Sequence, residues 1–441
     1  MLTIKNTTTK MRHLLLTILA SAALTATAQT TREEIAVTPE KAGGVYYAYP
    51  VSESLNTPAP KGYKPFYVSH FARHGSRYLI SDNDYKTVMD VFDSADRAGA
   101  LTPLGKSVKA RLDSIWTEAQ GRGGELTPLG RRQHQGIAQR MYKAYPEAFT
   151  DDARITAAST TVMRCAHSMF AFIEGLKEQN PRLLIPAESS ERNMHYLNYH
   201  SKESGKYSND KAEWYLDYKK FRNEKTRPDR LVRSLFADST FVRRHVDPQS
   251  LMTGLYWIAV DGQNIETPVT LLDIFTTDEL FDLWEIYNYS FYATNSSYPL
   301  ADGQHIDNAK NLLRNIVETA DDYIARGDKG ATLRFAHDGN IIPLTALMQF
   351  PSCAVYETNP YALSRVYSNF KISPMASNVQ AVFFKNKAGD VIVKFMLNER
   401  EVSIPAKTDM YPFYRWEDAR AALQKILDTP SREYIPAASI R

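Results

Sequence analysis

The stretch that most constrains this chain runs from Phe66 to Tyr78, Phe-Tyr-Val-Ser-His-Phe-Ala-Arg-His-Gly-Ser-Arg-Tyr. Its first half is aromatic and apolar with a β-branched residue, bounded upstream by Pro60, Gly62 and Pro65. That composition suits a short buried strand. The run then breaks abruptly into Arg73-His74-Gly75-Ser76-Arg77. Two guanidiniums and an imidazole hinged on a glycine form a compact anion cradle, because arginine's planar fork matches phosphate oxygens and glycine lets backbone come close to a ligand. The carboxyl end of a strand is also where open α/β sheets bind ligands. A basic cluster alone is ordinary surface chemistry, so the rest of the chain has to decide its meaning.

At 441 residues the chain is long enough for two closely packed parts. Its beginning reads as a secretory signal over residues 1–28. Lys5, Lys10 and Arg12 supply the positive region, Leu14 to Leu24 a short apolar run, and Ala26-Thr27-Ala28 a small-x-small cleavage site, with Met11 as an alternative start. The apolar run is too short to span a bilayer, and nothing later is apolar for long enough. Export to the periplasm or the exterior is therefore expected. Removing the leader takes away three basic and no acidic side chains, so the formal charge of +3 falls to zero. No global charge bias favours nucleic acid or a membrane surface, and any taste for anions has to come from a local patch. Cys165 and Cys353 are too few for a disulfide framework and leave one bridge open. No paired Cys/His spacing suggests a metal and no Gly-rich nucleotide loop is present, so no cofactor is expected.

Residues 29 to about 64 read as an extended, Pro-containing lead-in. After the basic loop, Leu101-Thr102-Pro103-Leu104-Gly105 and Leu126-Thr127-Pro128-Leu129-Gly130 each place Thr as an N-cap and Pro at the first helical position. Ala153 to Ser159 reads as a strand turning into a helix near Thr160, with Met163, Phe170, Ile173 and Leu176 as its apolar stripe. From 186 to 300 the texture becomes rich in Tyr, Asn, Arg and Lys, with helical stretches at Asn209–Phe221 and Thr277–Tyr289. A long amphipathic helix over Ile306–Arg326 leads to a strand, Ala331 to Ala336, that ends in His337-Asp338-Gly339-Asn340. Val379–Phe384 and Val391–Leu397 form a hairpin pattern, and Trp416–Leu427 is helical. Strands and helices alternate at both ends with a helical block between. This predicts an α/β core over 29–185 and 301–441, interrupted by a mainly helical cap over 186–300.

Arg73-His74-Gly75-Ser76-Arg77 directly after an apolar strand resembles the signature of the histidine acid phosphatases, branch 2 of the histidine phosphatase superfamily. Two further pieces resemble the same family in order: Arg164 within Ser159-Thr160-Thr161-Val162-Met163-Arg164, and His337-Asp338 at a later strand end. Gly124-Glu125-Leu126-Thr127-Pro128-Leu129-Gly130 also looks like a family stretch that opens a core helix. The resemblance implies a phosphoglycerate mutase-like fold, a mixed sheet flanked by helices with an inserted cap. It implies His74 as the nucleophile, Asp338 as the proton donor, and Arg73, Arg77, Arg164 and His337 as phosphate ligands. Leu79 stands where the family often has proline, a change expected to alter loop stiffness and not chemistry. His337-Asp338-Gly339-Asn340 is similar to bacterial phytases and acid phosphatases. Phe335-Ala336 and Ile342-Pro343-Leu344 are similar to the surroundings of this motif in multiple inositol polyphosphate phosphatases. The resemblance points to both branches and chooses neither.

The chemistry agrees with those roles. Phosphoryl transfer asks mainly for positioning and for positive charge around the non-bridging oxygens. His74 attacks only through a neutral nitrogen, so its other nitrogen needs an acceptor, expected to be a backbone carbonyl. The leaving alkoxide needs a proton, which Asp338 supplies if its carboxyl stays protonated at the working pH. The expected substrate is a small phosphomonoester, with phytate and lower inositol phosphates first. Lys202, Lys206, Lys219, Lys220, Arg222 and Arg233 of the cap are candidates for lining the site. A broad-specificity acid phosphatase and a catalytically silent phosphate-binding protein on the same fold are the alternatives. A phosphosugar mutase is disfavoured by the leader.

Overall fold

The computed structural model describes residues 30–51, 56–436 and 439. The expected leader over 1–28 lies outside them. Among the described residues no helix is long and apolar enough to cross a membrane.

The core is an eight-stranded mixed sheet. Its strands are β1 (Lys64–Arg73), β2 (Arg154–Ser159), β3 (Ala187–Ser189), β4 (Gly330–Ala336), β5 (Asn378–Lys385), β6 (Val391–Leu397), β7 (Arg400–Val402) and β8 (Tyr414–Arg415). Their order is β3-β2-β4-β1-β5-β6-β7, with β8 also pairing β6. The β3-β2-β4-β1 half is parallel and the rest antiparallel, β5 and β6 forming the expected hairpin. Parallel pairing places Arg73 opposite Ala336 and Ser159 opposite Phe335. Three chain segments therefore leave the sheet at one edge, and the motifs read from the sequence follow at that edge. β1 is also where parallel pairing gives way to antiparallel, the kind of switch point at which such sheets open a crevice.

Side chains of β1 alternate between two apolar layers. Val68 and Ala72 face a cluster with Ile137, Met141, Met169, Phe172, Leu333 and Phe335, while Tyr67 and Phe71 face a second cluster. Two helices, α4 (Pro128–Ala144) and α5 (Met163–Gln179), cover the first face; α9 (Lys310–Arg326) and α11 (Trp416–Asp428) lie on the second. Both Phe172 and Phe335 are fully buried, each contributing about 2–3 kcal/mol relative to exposure. The Thr-Pro signals behave as read. Thr102 caps α3 (Pro103–Ala119) by accepting from Gly105 N, and Thr127 caps α4 by accepting from Gly130 N.

Three expectations change. The lead-in is not extended: α1 (Thr31–Val37) and a 3-10 stretch over Pro39–Tyr46 occupy it. A Thr30–Glu33 capping box starts α1, and Ile35, Ala42, Val45 and Tyr46 anchor the segment in the core. In α5 the apolar stripe is displaced: Met163 and Phe170 are 66% and 48% exposed, while Cys165, Met169, Phe172 and Leu176 are buried. The residues that pack are those facing α4 at three- and four-residue spacing, whatever the hydrophobicity of the others. The helix expected from Ile306 begins at Lys310, after a separate short turn over Gln304–Asp307. Cys165 and Cys353 are both free and buried.

Between β3 and β4 the chain is almost entirely helical. It includes α6 (Trp214–Lys225), α7 (Pro248–Asp261) and α8 (Thr277–Asn295). This block packs on the same apolar cluster as Tyr67 and Phe71. The helix α2 (Asp82–Arg97) joins it by packing against α7.

Candidate active site

The loop after β1 is held from below by the start of α4. The carbonyl of Ser76 accepts from both the Thr127 amide (2.9 Å) and its hydroxyl (3.1 Å), and Tyr78 N donates to Glu125 O at 3.1 Å. A Cβ on Gly75 would stand 2.5 Å from Gly130 O, and one on Gly130 would stand 2.3 Å from Ser76 O. Only glycines allow this approach. The Glu125–Gly130 stretch is thus both a helix start and the floor of the basic loop. Gln133 Oε1 accepts from Ser76 N and Ser168 Oγ accepts from Gly75 N, tying the loop to α4 and α5.

His74 is buried at the loop's head. Its Nδ1 lies 2.9 Å from Gly75 O. A carbonyl can only accept, so Nδ1 carries the proton and Nε2 keeps its lone pair. Burial and the guanidiniums of Arg73, Arg164 and Arg77 hold the imidazole pKa well below its ordinary value. The ring is neutral across the physiological range, as a nitrogen nucleophile requires.

The three arginines approach from different elements. Arg73 ends β1 fully buried, its Nη1 donating to Val45 O and to Ser373 O, its Nη2 3.0 Å from Asp338 Oδ2. Burial draws its pKa down to about 10 although Asp338 pulls the other way. Arg77 donates to Tyr78 O (2.8 Å) and to Tyr46 OH (2.9 Å), and its guanidinium lies over the Tyr46 ring at 4.6 Å. Arg164, in the first turn of α5, makes no hydrogen bond or ion pair to a described side chain. The Nε atoms of Arg73, Arg77 and Arg164 are all buried without a partner among the described residues. Three unsatisfied N–H groups on three cations are costly in an apolar interior and are what a tetrahedral oxyanion would satisfy.

His337 and Asp338 follow β4, with the His337 ring 5.8 Å from that of His74. Burial brings the His337 pKa down to about 4, and its Nε2 lies 3.3 Å from Thr160 Oγ1. Asp338 opens α10 (Asp338–Leu347) and accepts from Gly339 N at 2.9 Å. Here the structure departs from the sequence expectation of a protonated carboxyl. Burial alone would raise the Asp338 pKa, but Arg73, Arg77 and His337 together lower it below the usual value. In the free protein Asp338 is a carboxylate paired with Arg73. The amino ends of α5 and α10 add positive dipoles at the same edge.

Several contributors escaped the sequence reading. Tyr46 and Val45 reach Arg77 and Arg73 from the lead-in; the Thr30-x-x-Glu33 box was the available signal that this segment is ordered. Ser76 Oγ donates to Asn264 Oδ1 (2.7 Å), and Asn264 Nδ2 donates to Tyr46 O (2.8 Å) and to Asp261 (3.2 Å). Tyr85 OH in turn donates to Asp261. Buried Asp261 is pushed up to about 7 by desolvation, which Arg77 only partly offsets. No local motif marks this network between loop and cap.

Cavities of about 540 and 400 Å³ flank the cradle. The first is walled by Tyr46, Leu79, Ile80, Arg222 and Trp257, the second by His200, Asn295, His305 and Gly339. A larger one, about 620 Å³, lies around Thr31, Glu285 and Arg365; none of the three cavities is lined by a cradle residue itself. Of the six basic cap residues singled out from the sequence, Arg222 alone lines one of the two flanking cavities.

A neutral histidine with a free nitrogen close to three guanidiniums, at the carboxyl ends of parallel strands, is an arrangement chemically suited to an oxyanion. The family model of the histidine phosphatase superfamily (branch 2) matches residues 67–398, and the chain belongs to that family. By class it is a phosphoric monoester hydrolase. It is 23% identical over 386 residues to multiple inositol polyphosphate phosphatase 1 of Gallus gallus, covering 81% of this chain and 82% of that one. Its fold is similar to the Bifidobacterium longum multiple inositol polyphosphate phosphatase solved in complex with inositol hexasulfate. The TM-score is 0.75 at 19% identity, with 87% of this chain and 97% of that chain covered. The phytase from D. castellii superposes with a TM-score of 0.63 at 14% identity, over 91% and 88% of the two chains.

Proposed function

We propose that the chain is an exported phosphatase that hydrolyses inositol polyphosphates, phytate among them, through a phosphohistidine on His74. The observation that carries this reading is the cradle itself: a free Nε2 on neutral His74, ringed by three arginines whose Nε atoms lack partners. The relatives named for inositol polyphosphates and phytate support the substrate class, and the sequence of residues 1–28 supports export.

In this mechanism Arg73, Arg77, Arg164 and His337 hold the non-bridging oxygens while Nε2 of His74 attacks phosphorus and the ester P–O bond breaks. The bound phosphate competes for the Arg73 fork and places negative charge beside Asp338. Both effects raise the Asp338 pKa, so the carboxyl takes up a proton on substrate binding and gives it to the departing alkoxide. The resulting carboxylate then takes a proton from water as the oxygen attacks the phosphohistidine, releasing phosphate and neutral His74.

The test compares phosphate release from phytate and from 4-nitrophenyl phosphate between pH 4 and 7, for the wild type and His74→Ala. Preference for phytate, lost in His74→Ala, is expected. Comparable efficiency on both esters would remove the inositol phosphate specialisation, and release by His74→Ala at wild-type rate would remove the nucleophile.

A further inference from the structure

Two chains of hydrogen bonds leave the basic loop and end on one buried carboxylate. The first starts at Leu79, whose amide donates to Tyr85 OH at 3.0 Å; that hydroxyl donates to Asp261 Oδ2 at 3.2 Å. The second starts at Gln133, whose Nε2 donates to Ser76 Oγ at 2.8 Å. Ser76 Oγ donates to Asn264 Oδ1, and Asn264 Nδ2 donates to Asp261 Oδ1 at 3.2 Å. Both chains run donor to acceptor towards Asp261, so its carboxylate completes them without a proton of its own.

Asp261 is the last residue of α7, and it is buried together with Tyr85 of α2 and Asn264. Arg77 stands in the chain between the two anchored residues, Ser76 and Leu79. One side chain of the helical block therefore holds the loop on both sides of a cradle arginine. It also acts on that arginine through charge. Burial would lower the Arg77 pKa, yet Tyr46, Asp261 and Asp338 together hold it above its ordinary value. The other ionisable groups facing Asp261 are phenols, Tyr85 from α2 and Tyr46 from the lead-in, and burial keeps both protonated. Asp261 itself is pushed up by burial to about 7, against the pull of Arg77, so its charge appears between about pH 6 and 8.

We propose that Asp261 is a positioning residue for Arg77: it fixes the basic loop through the two chains, and its charge sets how strongly Arg77 attracts a tetrahedral oxyanion. The inference rests on the phosphate-cradle reading above and adds a group that touches neither substrate nor the reacting atoms. With Asp261 neutral, Arg77 offers its full charge to the oxyanion. With Asp261 ionised, part of that charge is balanced from behind, and the oxyanion binds less tightly.

The test is the inhibition constant of sulfate against 4-nitrophenyl phosphate hydrolysis at pH 6 and pH 8, in wild type, Asp261→Asn and Tyr85→Phe, with melting temperatures to verify folding. Sulfate is a dianion at both values. Proton uptake by Asp338 on anion binding is common to all three proteins, so it cancels when their constants are compared. Asparagine keeps the size of the side chain and an acceptor oxygen but never ionises. The ratio of the wild-type constant to that of Asp261→Asn is expected near one at pH 6 and about three- to tenfold at pH 8. A ratio that is the same at both pH values would overturn the inference and leave the phosphatase reading standing. Tyr85→Phe removes a donor to Oδ2 and so raises the Asp261 pKa further, which is expected to bring its pH 8 constant below that of the wild type. Should Asp261→Asn not fold, Tyr85→Phe decides the matter, a pH 8 constant at or above the wild-type value refuting the role. Failure of the wild type to hydrolyse the ester would overturn the reading beneath it, and the inference with it.

Discussion

Two buried histidines sit behind the cradle and set an acid limit on the fold. His134, on α4, is fully buried with its ring 5.6 Å from Phe335, and neither ring nitrogen has a well-formed hydrogen bond. Burial brings its pKa down to about 3, weakly opposed by the Arg73 backbone. His70 on β1, stacked on Phe172, is lowered in the same direction by burial, by His134 and by Arg334. The sign follows from linkage. Below about pH 6.5 the unfolded chain protonates at residue 134, while the folded chain does so only near pH 3. Stability that His134 leaves intact above 6.5 is therefore lost progressively as the pH falls towards 3. At pH 4.5 the gap amounts to about 3 kcal/mol. Asp261 works against this trend, since its raised pKa adds stability on acidification. The wild-type curve alone consequently does not isolate His134, but a difference between variants does. His134→Met keeps volume and apolar contact, so at pH 7.5 it is expected to shift stability by less than about 1.5 kcal/mol. At pH 4.5 it should stand about 3 kcal/mol better than that relative to wild type, or roughly 3–4 °C in melting temperature for a chain of this size. Melting curves of both proteins at the two pH values provide the check. Parallel pH dependence of variant and wild type would refute the assignment of an uncharged, proton-excluding His134.

Asp338→Asn removes the proton donor and also the partner of Arg73. It is expected to slow phytate hydrolysis far more than 4-nitrophenyl phosphate hydrolysis, because only the poor leaving group needs the proton; equal loss on both would count against the acid role. Tyr46→Phe keeps the ring under Arg77 but leaves a buried N–H unpartnered. About a tenfold loss of kcat/KM is expected on both substrates alike. Gly130→Ala places a methyl group against the Ser76 backbone. It should lower stability by about 1–3 kcal/mol and displace the basic loop, so that inhibition by inorganic phosphate weakens together with turnover.

The sequence made the site legible where chemistry is written locally. Arg73-His74-Gly75 after an apolar strand, Arg164 early in a helix and His337-Asp338 after a second strand each carry their context with them, and parallel pairing of β1, β2 and β4 brings them to one edge. The helix starts at Thr102 and Thr127 were equally readable, since a cap is a property of four consecutive residues. The prolines of the lead-in suggest extension, while its order comes from burial of Val45 and Tyr46 against distant segments. The protonation of Asp338 was beyond sequence reasoning: it depends on a 3.0 Å contact with Arg73 across two strands. The Asp261–Asn264–Ser76 network was unreadable for the same reason, since a single hydrogen bond joins Ser76 to Asn264 nearly two hundred positions away.

Covalent phosphorylation of His74 during turnover is the step on which the proposed mechanism turns. Rapid quenching of the enzyme with phosphorus-32-labelled phytate, in alkali, followed by peptide mapping, tests this directly. The expected result is a transient, acid-labile and alkali-stable label on the peptide containing His74, absent from His74→Ala. Turnover with no labelled enzyme, or label on any other residue, would contradict it.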